Sequence, residues 1–333
     1  MKRYLISIAA LLMSLSMTAQ SGRMAVVDLS SVYMRQKPDY ESALETQELM
    51  GTVVEIVGES GYWREIRSPQ PYRAWVTEKG LVEMSEQELE AYVAAPKVMF
   101  TGLYGHVHKS PSSKSGTICD LVGGDVLRLS GKPSRGRWTG VVLPSGISGY
   151  VLSENLKSHG DCLYIGMGEG SGEDVPSEVS ERIIAYAESL LGSPYLWGGM
   201  TAKGVDCSGL VRISHIVNGI YLPRNASQQI QCGKRVDVTY DRVFWDEAAR
   251  TGRPGDFKEE MLYRMRNLRR GDLVFFGTPS PDPQKKDRIT HVGIYLGDGY
   301  MIHSSHKVRI NSMVPGDSDF YENSHRFLAA VRL

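Results

Sequence analysis

The feature that most restricts how this chain can fold is a repeat in its first half. Trp63, Trp75 and Leu81 recur as Trp138, Tyr150 and Leu156, each 75 residues further on. Around them lie short alternating runs, such as Thr52 to Val57 and Val126 to Leu129, punctuated by Gly and Pro turns. A period of two belongs to a half-buried strand, and a segment that recurs as a unit tends to fold as a unit. The pattern therefore predicts two small antiparallel β-barrels, over residues 24–85 and 98–158. Their aromatics are expected to fill the cores.

The N-terminus carries a different signal. Lys2 and Arg3 precede an apolar run from Tyr4 to Met17, followed by the small residues Thr18 and Ala19. That is the arrangement of a cleaved signal peptide over residues 1–19. The run falls short of the roughly 20 apolar residues a membrane span needs, and no later segment approaches that length. The mature protein is expected to be exported, to the periplasm, cell envelope or beyond, with no membrane insertion once the signal is removed. A monomer is favoured. Lys plus Arg and Asp plus Glu number 38 each, so the formal charge is zero and nothing favours nucleic acid as a partner. The four cysteines, Cys119, Cys162, Cys207 and Cys232, are too few for a disulfide scaffold in 333 residues. If Cys207 stays a thiol, at most one bridge forms among the rest.

Composition shifts between residues 159 and 176, where Gly166, Gly168, Gly170 and Gly172 occur together with acidic residues as in a linker. Beyond it, Ser177 is placed to cap a helix whose apolar positions Ile183, Ile184, Ala187, Leu190 and Leu191 follow helical spacing, with Gly192 and Pro194 ending it. A third domain is thus expected over residues 177–333.

Its first chemical feature is the segment Tyr195-Leu-Trp-Gly-Gly-Met-Thr-Ala-Lys-Gly-Val-Asp-Cys-Ser-Gly-Leu-Val211. One cysteine follows a glycine-rich loop and opens an apolar stretch, so Cys207 is expected at a helix N-terminus. There the helix dipole favours a thiolate, and the N–H groups of Cys207 and Ser208 are positioned to receive an oxyanion. A buried, inert thiol is the competing reading.

A base is offered downstream. His291-Val-Gly-Ile-Tyr-Leu296 reads as a strand, Gly297-Asp298-Gly299 as a turn, and Tyr300-Met-Ile-His-Ser304 as the returning strand. With a three-residue turn, His303 faces Gly293 and lies diagonal to His291 on the same face, within reach of its ring. A two-residue turn would put the two histidines on opposite faces. Nucleophile, base and orienter are then Cys207, His291 and His303. No metal or other cofactor is implied, since His215, His306 and His325 lack convergent ligand spacing.

In order, Tyr195-Leu-Trp-Gly-Gly, Val205-Asp-Cys-Ser-Gly-Leu, Leu222-Pro-Arg, Arg270-Gly-Asp-Leu-Val-Phe-Phe276 and His291-Val-Gly-Ile-Tyr295 resemble the NlpC-type family of papain-like cell-wall cysteine peptidases. The two repeats resemble bacterial SH3-like domains. Together the chain resembles the γ-D-glutamyl-L-diamino acid endopeptidases of dipeptidyl-peptidase VI type. That resemblance implies two SH3-like barrels followed by an α+β peptidase, and cleavage between D-Glu and the diamino acid of murein peptides with a free N-terminal L-Ala. It implies Cys207, His291 and His303 as the catalytic set, with Tyr195, Trp197, Asp206, Ser208 and Ser227 at the substrate. Asp206 would pair with a substrate ammonium. Glu65 and Tyr104 are candidates at the end of the cleft where an SH3-like domain closes around the free amine.

The chain departs from the family at Asp237 to Arg266, which contains Phe244 and Trp245, and again at Pro279 to Lys286. Either insert is expected to be a lid or a surface decoration. Two other functions stay open on sequence: a cell-wall binding module with an inert peptidase domain, and acyl transfer from the same thioester.

Overall fold

A computed structural model describes residues 22–69, 72–132, 134–160, 162–165, 174–238, 254–282 and 284–333. The expected signal peptide, the glycine run of the linker, and Phe244 with Trp245 lie outside those residues. The chain divides into two compact units between Tyr164 and Ile165.

The first unit holds two antiparallel sheets. Strands β1 (Arg23–Val27), β2 (Ser31–Arg35), β3 (Leu44–Leu49), β4 (Val53–Ser60), β5 (Trp63–Arg67), β6 (Arg73–Thr77) and β7 (Leu81–Met84) lie in the order β3-β2-β6-β5-β4-β1-β7. Helix α1 (Glu86–Ala94) follows, capped by Ser85, whose hydroxyl accepts from the Glu88 N–H while the Glu88 carboxylate accepts from the Ser85 N–H. Strands β8 (Lys97–Phe100), β9 (Tyr104–His108), β10 (Thr117–Val122), β11 (Val126–Leu129), β12 (Trp138–Val142), β13 (Ser148–Leu152) and β14 (Leu156–Ser158) then repeat that order strand for strand, as β10-β9-β13-β12-β11-β8-β14.

The sequence repeat maps onto this topology. Trp63 and Trp138 open β5 and β12, Trp75 and Tyr150 stand third in β6 and β13, and Leu81 and Leu156 open β7 and β14. Trp63 and Trp138 are buried. Met34, Val54, Ile66 and Val76 fill the first core, and Phe100, Val107, Leu121, Leu127 and Val141 the second. Met50 joins the second core from the first repeat, and the buried Asp125 carboxylate accepts from the N–H of Met50 (3.2 Å) and of Val122 (2.8 Å).

Closed barrels were expected, and the sheets are open instead. A barrel closes when its first and last strands pair. Here β3 and β7 form the edges of one sheet and β10 and β14 those of the other, and among the described residues no ladder joins them.

In the second unit, helix α2 (Ser177–Ser189) buries Ile183, Ile184 and Ala187. Its cap is Pro176 rather than Ser177, which lies one residue inside and makes no capping bond. The short strands β15 (Met200–Thr201) and β16 (Gly204–Val205) form a turn that delivers α3 (Cys207–Ile216), every residue of which is buried. After α4 (Ala226–Gln229), six strands make the main antiparallel sheet: β17 (Lys234–Val236), β18 (Leu273–Thr278), β19 (Arg288–Gly297), β20 (Tyr300–Ser305), β21 (Lys307–Ser312) and β22 (Phe327–Arg332), in the order β17-β22-β18-β19-β20-β21. Helices α2 and α3 pack together, and α3 packs on β19 and β20.

The end of the first insert departs from the expectation. Its described second part is helix α5 (Pro254–Met265), whose Phe257, Met261 and Met265 recur every four residues and pack with Phe276, Tyr295, Met301 and Phe327. Arg264 on the same helix is buried and donates to the Phe327 carbonyl at 2.6 Å. A residue set of helical period in the core makes this described part neither lid nor decoration. Among the described residues no helix is long and apolar enough to cross a membrane.

Candidate active site

Cys207 is the first residue of α3, and the preceding turn explains why the helix starts there. Asp206 is in extended conformation and its carboxylate accepts from the Gly209 N–H at 2.7 Å, the capping bond that an aspartate makes at this position. The same carboxylate accepts from the Gly198 N–H (2.8 Å), the Ser208 hydroxyl (3.2 Å) and both terminal nitrogens of Arg224 (3.0 and 2.6 Å). Arg224 also donates to the Ser208 hydroxyl at 2.9 Å. The Arg224 and Asp206 side chains are 3 and 9% exposed. A forked, buried pair of this kind holds the glycine turn, the helix start and the Leu222–Arg224 segment as one body.

The thiol of Cys207 is buried and lies against the backbone N–H of Val292, the residue after His291, and that of Ser208. His291 Nε2 is 2.7 Å from His303 Nδ1, and His303 Nε2 is 3.0 Å from Asn311 Oδ1. His303 is fully buried and His291 half-buried.

The hairpin that brings the histidines together departs from the expected one in an instructive way. Gly297 pairs with Tyr300, leaving a two-residue turn at Asp298 and Gly299, with φ of 50 and 84°. Positive φ at both positions is the primed turn that suits hairpins. Alone, that turn would have separated the histidines. A bulge at Leu296 adds one residue back, so Tyr295 pairs with Met301 and Ile294 with Ile302. Continuing this register sets His303 opposite Gly293, where a Cβ would come within 3.3 Å of His303 Cβ.

Electrostatics correct the thiolate expectation. Burial pushes the Cys207 thiol up to about 12, reinforced by the Asp206 charge; the N–H groups of Val292 and Ser208 pull the other way and lose. Burial also pushes His291 down to about 3, helped by His303, Arg309 and Arg326, and His303 down to about 4. Burial thus favours the neutral form of both the thiol and the imidazole.

Of the other expected substrate residues, Tyr195 is half-buried, and burial, with the Asp206 charge, raises its hydroxyl pKa. Trp197 is 68% exposed, Ser208 is buried against Arg224 and Asp206, and Ser227 is exposed on α4. Glu65 and Tyr104 belong to the first unit. Glu65 on β5 takes two hydrogen bonds from Arg73 (2.8 and 2.7 Å), and the Tyr104 hydroxyl on β9 lies 3.2 Å from His106 Nε2. Among the described residues no disulfide joins any of the four cysteines.

Three neighbours were not singled out from sequence. Arg224 appeared only as part of a motif. Asn311 sits on the strand after His303, and extending the hairpin register by one strand would have found it: His303 pairs with Arg309, and Asn311 follows on the same face. Tyr321 packs edge-on against His303 (4.7 Å between ring centres) and tilted on His291 (5.7 Å). It comes from an irregular segment, where no periodicity marks it.

A stability consequence follows from the buried imidazoles. His215, on α3, is buried with Nδ1 donating to the Val211 carbonyl at 2.7 Å, and burial lowers it to about 4. A histidine depressed in the folded state binds its proton more readily when unfolded. Its contribution is therefore complete above its unfolded value near 6.5 and is lost as pH falls toward 4, about 3 kcal/mol for His215 alone. Urea unfolding at pH 7 and 4.5 should show this loss, reduced in His215→Gln. Equal losses in the two proteins would refute the assignment.

The model of the NlpC/P60 family matches residues 192–323. The chain is 28% identical over 303 residues to a gamma-D-glutamyl-L-lysine dipeptidyl-peptidase of Bacillus cereus (strain ATCC 10987 / NRS 248), covering 86% of this chain and 75% of that one. It is 24% identical to dipeptidyl-peptidase 6 of Lysinibacillus sphaericus, over 87 and 91% of the two chains. Its fold is similar to the crystal structure of an NlpC/P60 family protein from Bacillus cereus ATCC 10987, with a TM-score of 0.67 at 21% identity over 93 and 99% of the chains. Residues 192–323 are thus an NlpC/P60 domain, and through it the chain carries the cysteine-peptidase fold of that family.

Proposed function

We propose that this protein is an exported cell-wall peptidase that hydrolyses the γ-D-glutamyl bond to the diamino acid in murein peptides beginning with free L-Ala. The observation that carries the reading is the Cys207 thiol against the Val292 N–H, with His291 next in the chain and His303 hydrogen-bonded behind it. The names of the relatives over most of the chain support the bond. The repeated strand order supports reading the first unit as two SH3-like modules in open form.

In this reading Cys207 Sγ attacks the γ-glutamyl carbonyl as its proton passes to His291. The carbonyl oxygen gains the negative charge and is received by the first-turn N–H groups of Cys207 and Ser208, because Asp206 already engages Gly209. Collapse breaks the C–N bond, His291 returns the proton to the leaving amine, and a thioester remains. Water, deprotonated by His291, hydrolyses it. His303 orients the base. Tyr195, Trp197, Asp206, Ser208 and Ser227 line the substrate site, with Asp206 sharing its carboxylate between Arg224 and the substrate ammonium.

The test is L-Ala-γ-D-Glu-diamino acid tripeptide, made with meso-diaminopimelate and with L-Lys, followed by mass spectrometry. The expected products are L-Ala-D-Glu and the free diamino acid, with the N-acetylated tripeptide cleaved at least about 100-fold more slowly, since a buried charged contact is lost. Intact tripeptide after prolonged incubation would rule out the bond. Equal cleavage of the acetylated form would rule out recognition of the amine.

A further inference from the structure

The hydrogen bonds behind His291 run through two residues beyond the catalytic set, and we propose that Asn311 and the Asp319 carbonyl set the tautomer of His303 and through it hold that of His291. This rests on His291 being the base. The chain of reasoning starts from a group with no choice. A backbone carbonyl can only accept, and Asp319 O lies 2.6 Å from the Asn311 side-chain amide. The nitrogen of that amide must therefore face Asp319, because a flipped amide would set two acceptors against each other. Asn311 Oδ1 is then turned to His303 Nε2, 3.0 Å away. An amide oxygen also only accepts, so Nε2 of His303 carries the hydrogen.

A neutral imidazole carries one N–H. With its hydrogen on Nε2, His303 presents a bare Nδ1, which accepts from His291 Nε2 at 2.7 Å. His291 has then used its hydrogen in that bond, and its lone pair is on Nδ1. Among the described residues that nitrogen has no hydrogen-bond partner, and it is the atom left for the Cys207 proton. Burial leaves little room for water to replace these links: His303 is fully buried and Asn311 is 8% exposed.

The end of the relay is itself anchored. The Asp319 carbonyl also accepts from the Ser312 N–H at 3.2 Å, and the Tyr321 N–H donates to the Ser312 carbonyl at 2.8 Å. The segment carrying Asp319 is thereby tied to the end of β21, the strand that holds Asn311. When the thiol proton arrives on Nδ1, the His291 cation keeps the same bond to His303, so no ring has to turn during the reaction.

Asn311 is thus a positioning residue, and the experiment reads tautomers as well as rate. Nitrogen-15 NMR of the histidine rings in Cys207→Ala protein at pH 7 should show His291 and His303 both as the Nε2–H form, a result independent of turnover. Asn311→Ala should mix the His303 tautomers and lower kcat about 10- to 100-fold with KM little changed. Asn311→Asp keeps the acceptor for His303 but sets a carboxylate oxygen against the Asp319 carbonyl; it should retain the Nε2–H form, lower kcat, and shift the acidic limb of the pH profile upward. An Nδ1–H form of either ring in the parent protein would overturn the proposal. So would Asn311→Ala or Asn311→Asp variants whose tautomers and pH profile both match the parent. If instead His291→Ala retains hydrolysis, the base assignment fails while the tautomer measurement stands.

Discussion

Replacing Cys207 with alanine should lower kcat/KM on the tripeptide by at least about 10⁴-fold while leaving the protein folded. The two halves of that expectation have separate grounds. Sγ is the only atom of the site able to form the thioester, so its removal eliminates the covalent route, and a neutral imidazole facing an alanine has no nucleophile to deprotonate. The structural role of the residue is slight. Cys207 is the first residue of a helix whose start is fixed by the Asp206 carboxylate on the Gly209 N–H, a bond that alanine leaves untouched. Its thiol is also held neutral by burial, so deleting it strands no charge. Steady-state kinetics with thermal unfolding of the same preparation checks both. Substantial activity in a folded Cys207→Ala protein would refute the covalent mechanism.

Arg224→Met is expected to cost about 3–5 kcal/mol in unfolding free energy, the cost of leaving one member of a buried pair alone. Asp206 sits at a helix start in a buried turn and receives two of its hydrogen bonds from Arg224. Without the guanidinium its charge remains, out of water, with only neutral donors. The double variant Asp206→Asn with Arg224→Met should recover part of the loss. Asparagine keeps a capping oxygen for Gly209 but no charge to compensate. Urea denaturation of the parent, both single variants and the double closes the cycle. A loss below about 1 kcal/mol for Arg224→Met would show that the pair is not what joins the glycine turn to α3. Because Asp206 adjoins Cys207 and holds Ser208, activity should fall with stability in the single Arg224 variant.

Much of the architecture could be read directly from residues. Alternation in the first half, and the recurrence of Trp63, Trp75 and Leu81, pointed to two strand-rich repeats because side-chain period and turn residues are local properties. Whether those sheets close was not readable, since closure depends on pairing between the first and last strands of each sheet, far apart in sequence. The Asp237 to Arg266 insert shows the same limit. Its Phe257, Met261 and Met265 have helical spacing, but only the packing partners across the sheet reveal that they face a core.

The site divides along the same line. Cys207 as nucleophile candidate, with His291 and His303 on one hairpin, came from local signals: a glycine turn before an apolar helix, and a strand-turn-strand pattern. Even there the outcome turned on the Leu296 bulge, which restored a register the two-residue turn would have lost. Cys207 does begin a helix, yet burial outweighs the Val292 and Ser208 N–H groups and Arg224 that favour a thiolate, because desolvation sums over every neighbour. Arg224 and Asn311 reach Asp206 and His303 from 17 residues beyond Cys207 and from the next strand, positions given meaning only by packing. Sequence alone determined which residue types carry the chemistry and which short segments present them, since both follow from local geometry. Tertiary structure alone decided their protonation, their hydrogen-bond partners and the closure of the sheets, since each depends on atoms that the chain brings together only when folded.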